Sequence, residues 1–308
     1  MKKLNENLFA HPSKSGKMDC SRLVDSFPAL SPKAVDILAA LQADRTDASA
    51  VKEIMKKYPD FAELVIVLLN TRFFNLPQPV NSLRQALQDP GPAKVLELSL
   101  LLALIDPLFE AKDADDLQSF WKHSFGCGYI SRFIGGKIEV ADPGKIYIAG
   151  LFHDLGKLVL NRNYPIDFLK IINYIKEKKV TFFEAEEAVI GITHCDIGAG
   201  LAQKWELNEE IAEVLLQHHS INSATKNPPL VMLINLANLI VRTHYAGFEL
   251  LENLPVSLEE LNEQKSWEIL LKKNDLQPKI DLEQFFDEIE DRLDRINFLI
   301  EDIFEIIR

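Results

Sequence analysis

Cysteine is scarce: the three residues, Cys20, Cys127 and Cys195, are odd in number and widely spaced. That pattern excludes a disulfide-framed scaffold, and the lack of any CxxC pair removes zinc-finger and thioredoxin-type readings. Positive charge is in deficit too, with 34 Lys and Arg against 46 Asp and Glu and a formal net charge of −12. Affinity for phosphate backbones and anionic lipid comes mostly from clustered Lys and Arg, so neither a nucleic-acid nor a membrane partner is expected. No apolar run is long enough to span a bilayer; the longest, Val95 to Ile105, is interrupted by Glu97. Met1 to Lys17 lacks the apolar core of a signal peptide, so a cytoplasmic location is expected. Sustained period-two alternation is missing, which argues against a sheet. With 47% hydrophobic and 26% charged residues, the 308-residue chain is nevertheless globular in composition and long enough for one large domain or two average ones.

What remains is helical. Residues 1–25 read as a flexible N-terminal segment. Ser31-Pro32 marks a helix start, with Val35, Ile37, Leu38 and Leu41 at helical spacing behind it. Asp47 or Thr46 caps a second helix with Val51, Ile54 and Met55 inside, and Pro59 opens a third. Ala93 to Ile105 is apolar nearly all round and reads as a buried helix. Glu110 to Asp116 is the best internal boundary. From Leu117 a helix runs to Gly135-Gly136 as its C-cap, and further helices follow at roughly 144–160, 165–178, 182–191, 194–205, 208–219 and 228–245. From Leu282 to Ile307 apolar residues step by four and three in a heptad seam, a helix packed on its own domain or paired with a second copy through 281–307.

Histidine is sparse, with seven residues, yet it is not scattered. His123 shares a line with Phe120, Cys127, Ile130 and Ile134, so it faces inward; Gly126 and Gly128 beside it permit close helix approach. His153-Asp154 follows Ile146, Ala149 and Gly150 on one face; adjacent residues diverge by about 100° on a helix, so both reach one point only where the helix aims at it. His194 opens a helix behind the capping-box pattern Thr193-His194-Cys195-Asp196. His218-His219 closes a helix, where a charged histidine also suits the dipole. Asn235, Asn238 and Arg242 form a polar line on an otherwise apolar helix and call for a facing polar site. His11 and His244 carry no assigned role. Each histidine alone is commonly a core residue. Five on four helices, with an adjacent Asp154, point to one or two divalent metal ions, with Fe, Mn, Zn and Ni all suited to such ligands.

In this order, His123, His153-Asp154 and a later carboxylate position resemble the HD superfamily of metal-dependent phosphohydrolases. The fuller pattern is closer to the HDOD family, the HD-related output domains of bacterial signalling proteins. The resemblance covers Phe27 to Tyr245. It is carried by Phe27-Pro28-Ala29-Leu30-Ser31-Pro32, Leu68-Leu69-Asn70-Thr71, Trp121-Lys122-His123-Ser124, Gly150-Leu151-Phe152-His153-Asp154-Leu155-Gly156-Lys157, the block His194 to Leu207, and Gln217-His218-His219. It implies an all-α fold: an N-terminal helical subdomain over 26–112 packed on an HD-type bundle over 113–248, with a C-terminal amphipathic extension over 249–308.

The metal ligands it implies are His123, His153, Asp154, His194, His218, His219 and Asn238, with Fe or Mn favoured. Two departures stand out. Asn238 occupies the position of the final acidic ligand, and an amide oxygen is a weaker donor than a carboxylate. The text after His219, Ser220-Ile221-Asn222-Ser223-Ala224, lacks the Gly-Tyr-Pro segment of the HD-GYP phosphodiesterases. Two functions follow. One is a signalling output module that engages a protein partner or a small-molecule ligand. The other is a phosphohydrolase in which Asp154 helps hold the metal that activates water and Lys157 steadies a phosphate oxygen. Outside an enzyme, Lys157 reads as a solvated surface residue.

Overall fold

Helix starts in this protein are written in proline and in short polar side chains. The computed structural model describes residues 18–43, 46–105, 114–138, 140–245, 247 and 282–307. Pro32, Pro59, Pro143, Pro165 and Pro228 each sit in a first turn, where the missing N–H costs nothing. Asp19, Ser31, Asp47, Ser82, Asp142, Thr181, Thr193 and Asn208 cap with their side chains.

The N-terminal part holds α1 (Cys20–Ser26), α2 (Pro32–Gln42), α3 (Ala48–Lys57), α4 (Pro59–Leu69), the short α5 (Leu83–Ala86) and α6 (Pro92–Ile105). The larger bundle holds α7 (Ala114–Ile138), α8 (Pro143–Phe152), α9 (Leu155–Asn163), α10 (Pro165–Lys178), α11 (Phe182–Val189), α12 (His194–Lys204), α13 (Glu209–Gln217) and α14 (Pro228–Arg242). The C-terminal helix is α15 (Leu282–Ile306). There is no strand among the described residues. One apolar core runs through all three parts. None of the described helices is long and apolar enough to cross a membrane.

Small residues set the distances that matter. On α8, a side chain at Gly150 would meet the Cys127 carbonyl, the Gly128 Cα and the Ser131 hydroxyl, each at 2.7 Å, so α7 and α8 pack backbone to backbone. The N-terminal part is tied to this pair through α6: Tyr147 donates to the Glu97 carbonyl at 2.9 Å, and Arg132 pairs with the Glu97 carboxylate at 2.9 Å.

Four features depart from the sequence reading. The expected flexible segment over 1–25 lies partly outside the described residues, but its end is a helix: α1 is capped by Asp19 and buries Leu23 and Val24. Gly135-Gly136 does not end α7, which continues to Ile138; Gly135 is instead a contact point, where an added Cβ would lie 2.5 Å from Ile146. Val35 is 50% exposed, because Ala34, Ile37, Leu38 and Leu41 supply the buried face of α2. The continuous helix over 144–160 is two helices, broken at His153-Asp154. The boundary expected near 112 lies outside the described residues.

The heptad seam packs within the chain. Ile289, Leu293, Ile296, Ile300 and Ile303 are buried, together with Phe285, Leu299 and Phe304, against α7 and α4. Lys122 on α7 pairs with Glu301, Phe133 stacks on Phe285, and the Arg292 guanidinium lies 3.9 Å from the Phe133 ring centre. The exposed side of α15 carries Asp287, Glu290, Asp291, Asp294, Glu301 and Glu305. Ile300 is fully buried, so Ile300→Ala is expected to lower unfolding stability by about 2–5 kcal/mol in urea denaturation, while Val35→Ala stays within about 0.5 kcal/mol.

Candidate metal centre

The break between α8 and α9 aims two neighbouring side chains at one point. His153 closes α8 and Asp154 precedes α9 with non-helical backbone, φ −106° and ψ 8°. His123 reaches the same point from α7, His194 from the first turn of α12, and His218 from the end of α13. His153 and His218 have their ring centres 5.1 Å apart. His194 is held there by the Thr193–Asp196 capping box and by Gly156 of α9, which packs directly on the His194 backbone.

Hydrogen bonds decide which ring nitrogens face inward. Carbonyl oxygens only accept, so His123 Nδ1 donates to Tyr245 at 2.7 Å, His153 Nδ1 to Gly150 at 2.8 Å and His218 Nδ1 to Val214 at 3.1 Å. Each of these rings then presents a bare Nε2 to the centre. His194 Nδ1 lies 2.6 Å from Glu186 Oε2, the carboxylate–imidazole pairing that orients metal-binding histidines.

The Nε2 atoms come in two pairs around one carboxylate. His123 and His153 are 3.3 Å apart and lie 3.4 and 3.3 Å from Asp154 Oδ2. His194 and His218 are 3.3 Å apart and lie 3.4 and 3.6 Å from Asp154 Oδ1. Lone pairs thus converge on lone pairs in a buried volume. Asp154 Oδ1, His219 Nε2 and Asn238 Oδ1 are buried without hydrogen-bond partners. Such a set fits a divalent metal better than a proton donor alone.

Burial works against the charge of Asp154, but its buried neighbours, the Lys157 ammonium among them, outweigh it and hold the carboxyl well below the usual carboxylate range. Burial, with Lys157 nearby, holds His194 well below 6.5; burial lowers His218 as well. Neutral imidazole is the form a metal takes. Burial pushes the Glu186, Cys127 and Cys195 groups up.

The remaining expected residues divide. His219 stands beside the second pair, its ring 4.3 Å from that of His218 and 5.1 Å from that of His194. Asn238 is buried on α14, one turn beyond Asn235, whose amide donates to the His218 carbonyl at 2.9 Å. Lys157 is no surface lysine: it is buried, and its ammonium donates to Asp154 Oδ2 at 2.9 Å over the Phe182 ring.

Three contributors escaped the sequence reading. Glu186 shares its helix face with Phe182 and Ala185, a carboxylate on a buried stripe, which was a readable signal. Cys127 lies one turn from His123, and Cys195 follows His194; their sulfurs lie 3.6 Å from the Nε2 of those histidines.

An all-helical fold with this order of histidines and one central aspartate defines an HD-type domain. The HDOD domain model matches residues 27–221, and the chain belongs to that family. Among solved structures, an HDOD domain protein of unknown function from Geobacter sulfurreducens is 22% identical, with 92% of this chain and 97% of that one covered at a TM-score of 0.75. A protein from Shewanella amazonensis SB2B, named only provisionally as a phosphohydrolase, is 19% identical over 92% and 97% of the two chains at 0.68. One from Marinobacter aquaeolei VT8, named as provisionally for signal transduction, is 18% identical over 92% and 62% at 0.69. These likenesses establish the fold. An uncharacterized protein of Treponema pallidum is 23% identical over 224 residues, 71% of this chain and 43% of its own length, so the chain spans less than half of that relative.

Proposed function

We propose that this protein is a signalling output module of HDOD type whose buried centre binds a divalent metal, and that it acts through a protein partner or small-molecule ligand rather than by turnover. One observation carries the reading. The donors surround Asp154 at first-row metal spacing, yet the Asp154, His123, His153, His194 and His218 side chains are at most 3% exposed. A substrate phosphate meets none of these five donors at the surface of the described residues, and the ammonium of Lys157 is already engaged with Asp154.

His123, His153 and Asp154 Oδ2 would hold one ion; His194, His218 and Asp154 Oδ1 would hold a second. A bound ion supplies Lewis acidity and lowers the pKa of water. Tyr245, Gly150 and Val214 carbonyls, with Glu186, fix the tautomers and ring planes that make this possible. Asn238, in place of a carboxylate, leaves Asp154 as the one carboxylate among the described residues that faces these Nε2 atoms. The hydrolase reading is supported by Lys157 alone, a cation beside the carboxylate that would complement a phosphoryl oxygen.

Protein purified without added metal is expected to contain a first-row divalent ion by elemental analysis. Chelation is expected to lower thermal stability. Free metal at 100-fold over Kd corresponds to about 2.7 kcal/mol of stabilisation, which His153→Ala removes. No metal and no chelator effect would end the metal reading. Hydrolysis of phosphodiester or nucleotide panels that disappears in His153→Ala would replace the module with an enzyme.

A further inference from the structure

The sulfurs of Cys127 and Cys195 repeat one arrangement on the two sides of Asp154. Around His123 Nε2 stand His153 Nε2 at 3.3 Å, Asp154 Oδ2 at 3.4 Å and Cys127 Sγ at 3.6 Å. Around His194 Nε2 stand His218 Nε2 at 3.3 Å, Asp154 Oδ1 at 3.4 Å and Cys195 Sγ at 3.6 Å. The two halves come from unrelated helices, yet their spacings agree.

These spacings match three edges of a metal tetrahedron, those that meet at one histidine nitrogen in each half. Zinc bonds to imidazole nitrogen at about 2.0–2.1 Å and to thiolate sulfur at about 2.3 Å; at the tetrahedral angle this separates two nitrogens by about 3.3–3.4 Å and nitrogen from sulfur by about 3.6 Å. His123, Cys127 and His153 offer donor atoms all within 4.8 Å of one another, and so do His194, Cys195, His218 and His219. Both thiols are fully or nearly fully buried. We infer that Cys127 and Cys195 are metal ligands, one thiolate in each half of the centre, and that the centre therefore takes a thiophilic ion, zinc in preference to manganese.

Charge supports the same assignment. Two divalent ions, with Lys157 beside them, leave a large positive excess in a buried volume where Asp154 is the shared carboxylate and Asn238 is neutral. Desolvated charge of that kind needs compensation. Two thiolates provide it where Asn238 does not. Each coordination converts an S–H to a thiolate bonded to the ion; the proton leaves to solvent, and nothing is oxidised or reduced. Thiolate donors also shift preference from manganese, which suits oxygen ligands, toward zinc or iron.

This inference rests on the metal reading above, and one experiment separates the two. The full-length protein is loaded with cobalt(II), and cobalt content is measured alongside the absorption spectrum. A near-ultraviolet sulfur-to-cobalt charge-transfer band is expected, reduced by about half in Cys127→Ser and in Cys195→Ser, absent in the double variant and unchanged in Cys20→Ser. Zinc-edge X-ray absorption of the unmodified protein is expected to show about one sulfur per zinc at about 2.3 Å, which decides the matter even where a variant does not fold. Bound cobalt or zinc without sulfur contact overturns the thiolate assignment and leaves the histidine–aspartate centre standing. No bound metal overturns both.

Discussion

Asp154→Asn is expected to abolish metal retention and to lower the stability of the metal-free protein by about 3–5 kcal/mol. The reason lies in Lys157. Its side chain is 1% exposed, that of Asp154 is 3%, and the two are 2.9 Å apart. Removing the carboxylate charge takes away a buried counter-charge 2.9 Å from that ammonium, which is far costlier than losing a surface pair. Lys157→Met removes the ammonium too, so the double variant is expected to recover a large part of the loss. Urea unfolding of the two single variants and the double variant, with chelator present, measures the coupling as a double-mutant cycle. Additive losses would mean that the pair does not balance the centre. A stable Asp154→Asn protein that still holds metal would remove Asp154 from its place between the two histidine pairs.

Gly156→Ala is expected to damage the site from a distance of one backbone contact. A methyl group there would press on the His194 carbonyl and lie 2.7 Å from the His194 Cα. Backbone cannot swing aside as a flexible side chain does, so α9 and α12 must separate. Overpacking of this kind costs about 1–3 kcal/mol, and here the displaced residue is itself a proposed ligand. The expected result is a lower denaturation midpoint together with weaker cobalt binding. Gly136→Ala is the control: nothing lies within 4 Å of its added Cβ, and it sits inside α7, so the change is expected to stabilise by about 0.5–1 kcal/mol. If both substitutions behave alike, close approach is not why position 156 is glycine.

The helices and most of the histidine cluster were legible because their signals are local. Proline at a first turn, Thr193 three residues before Asp196, and a stripe of isoleucines at heptad spacing each report on one turn of one helix. What stayed hidden depends on other helices. The chain breaks at His153-Asp154 without a proline, and Asp154, an N-cap by type, makes no side-chain cap to α9; the close approach of Gly150 to Gly128 and of Gly156 to His194 fixes the two segments separately. Lys157 looks like any lysine on a helix until Asp154 and Phe182 enclose it. Gly135 reads as a stop until Ile146 and Leu233 are seen filling the space beside it. Glu186 was the readable omission: a carboxylate on the Phe182–Ala185 face needs a partner, and His194 is that partner.

Tyr245 touches two parts of the molecule at once. Its carbonyl oxygen accepts a hydrogen bond from His123 Nδ1, and its hydroxyl donates to the Leu293 carbonyl on α15 at 2.7 Å. Burial pushes that hydroxyl up to about 12, so it remains a donor across the physiological range. A ring that grips an ion through Nε2 pulls more firmly on its Nδ1 partner, and the other end of that partner is anchored in the C-terminal helix. Thermodynamic reciprocity makes the connection two-way: to the extent that occupancy of the centre steadies α15, a molecule that grips α15 tightens the centre by the same factor. The C-terminal helix and the first histidine of the centre are thus joined through one tyrosine.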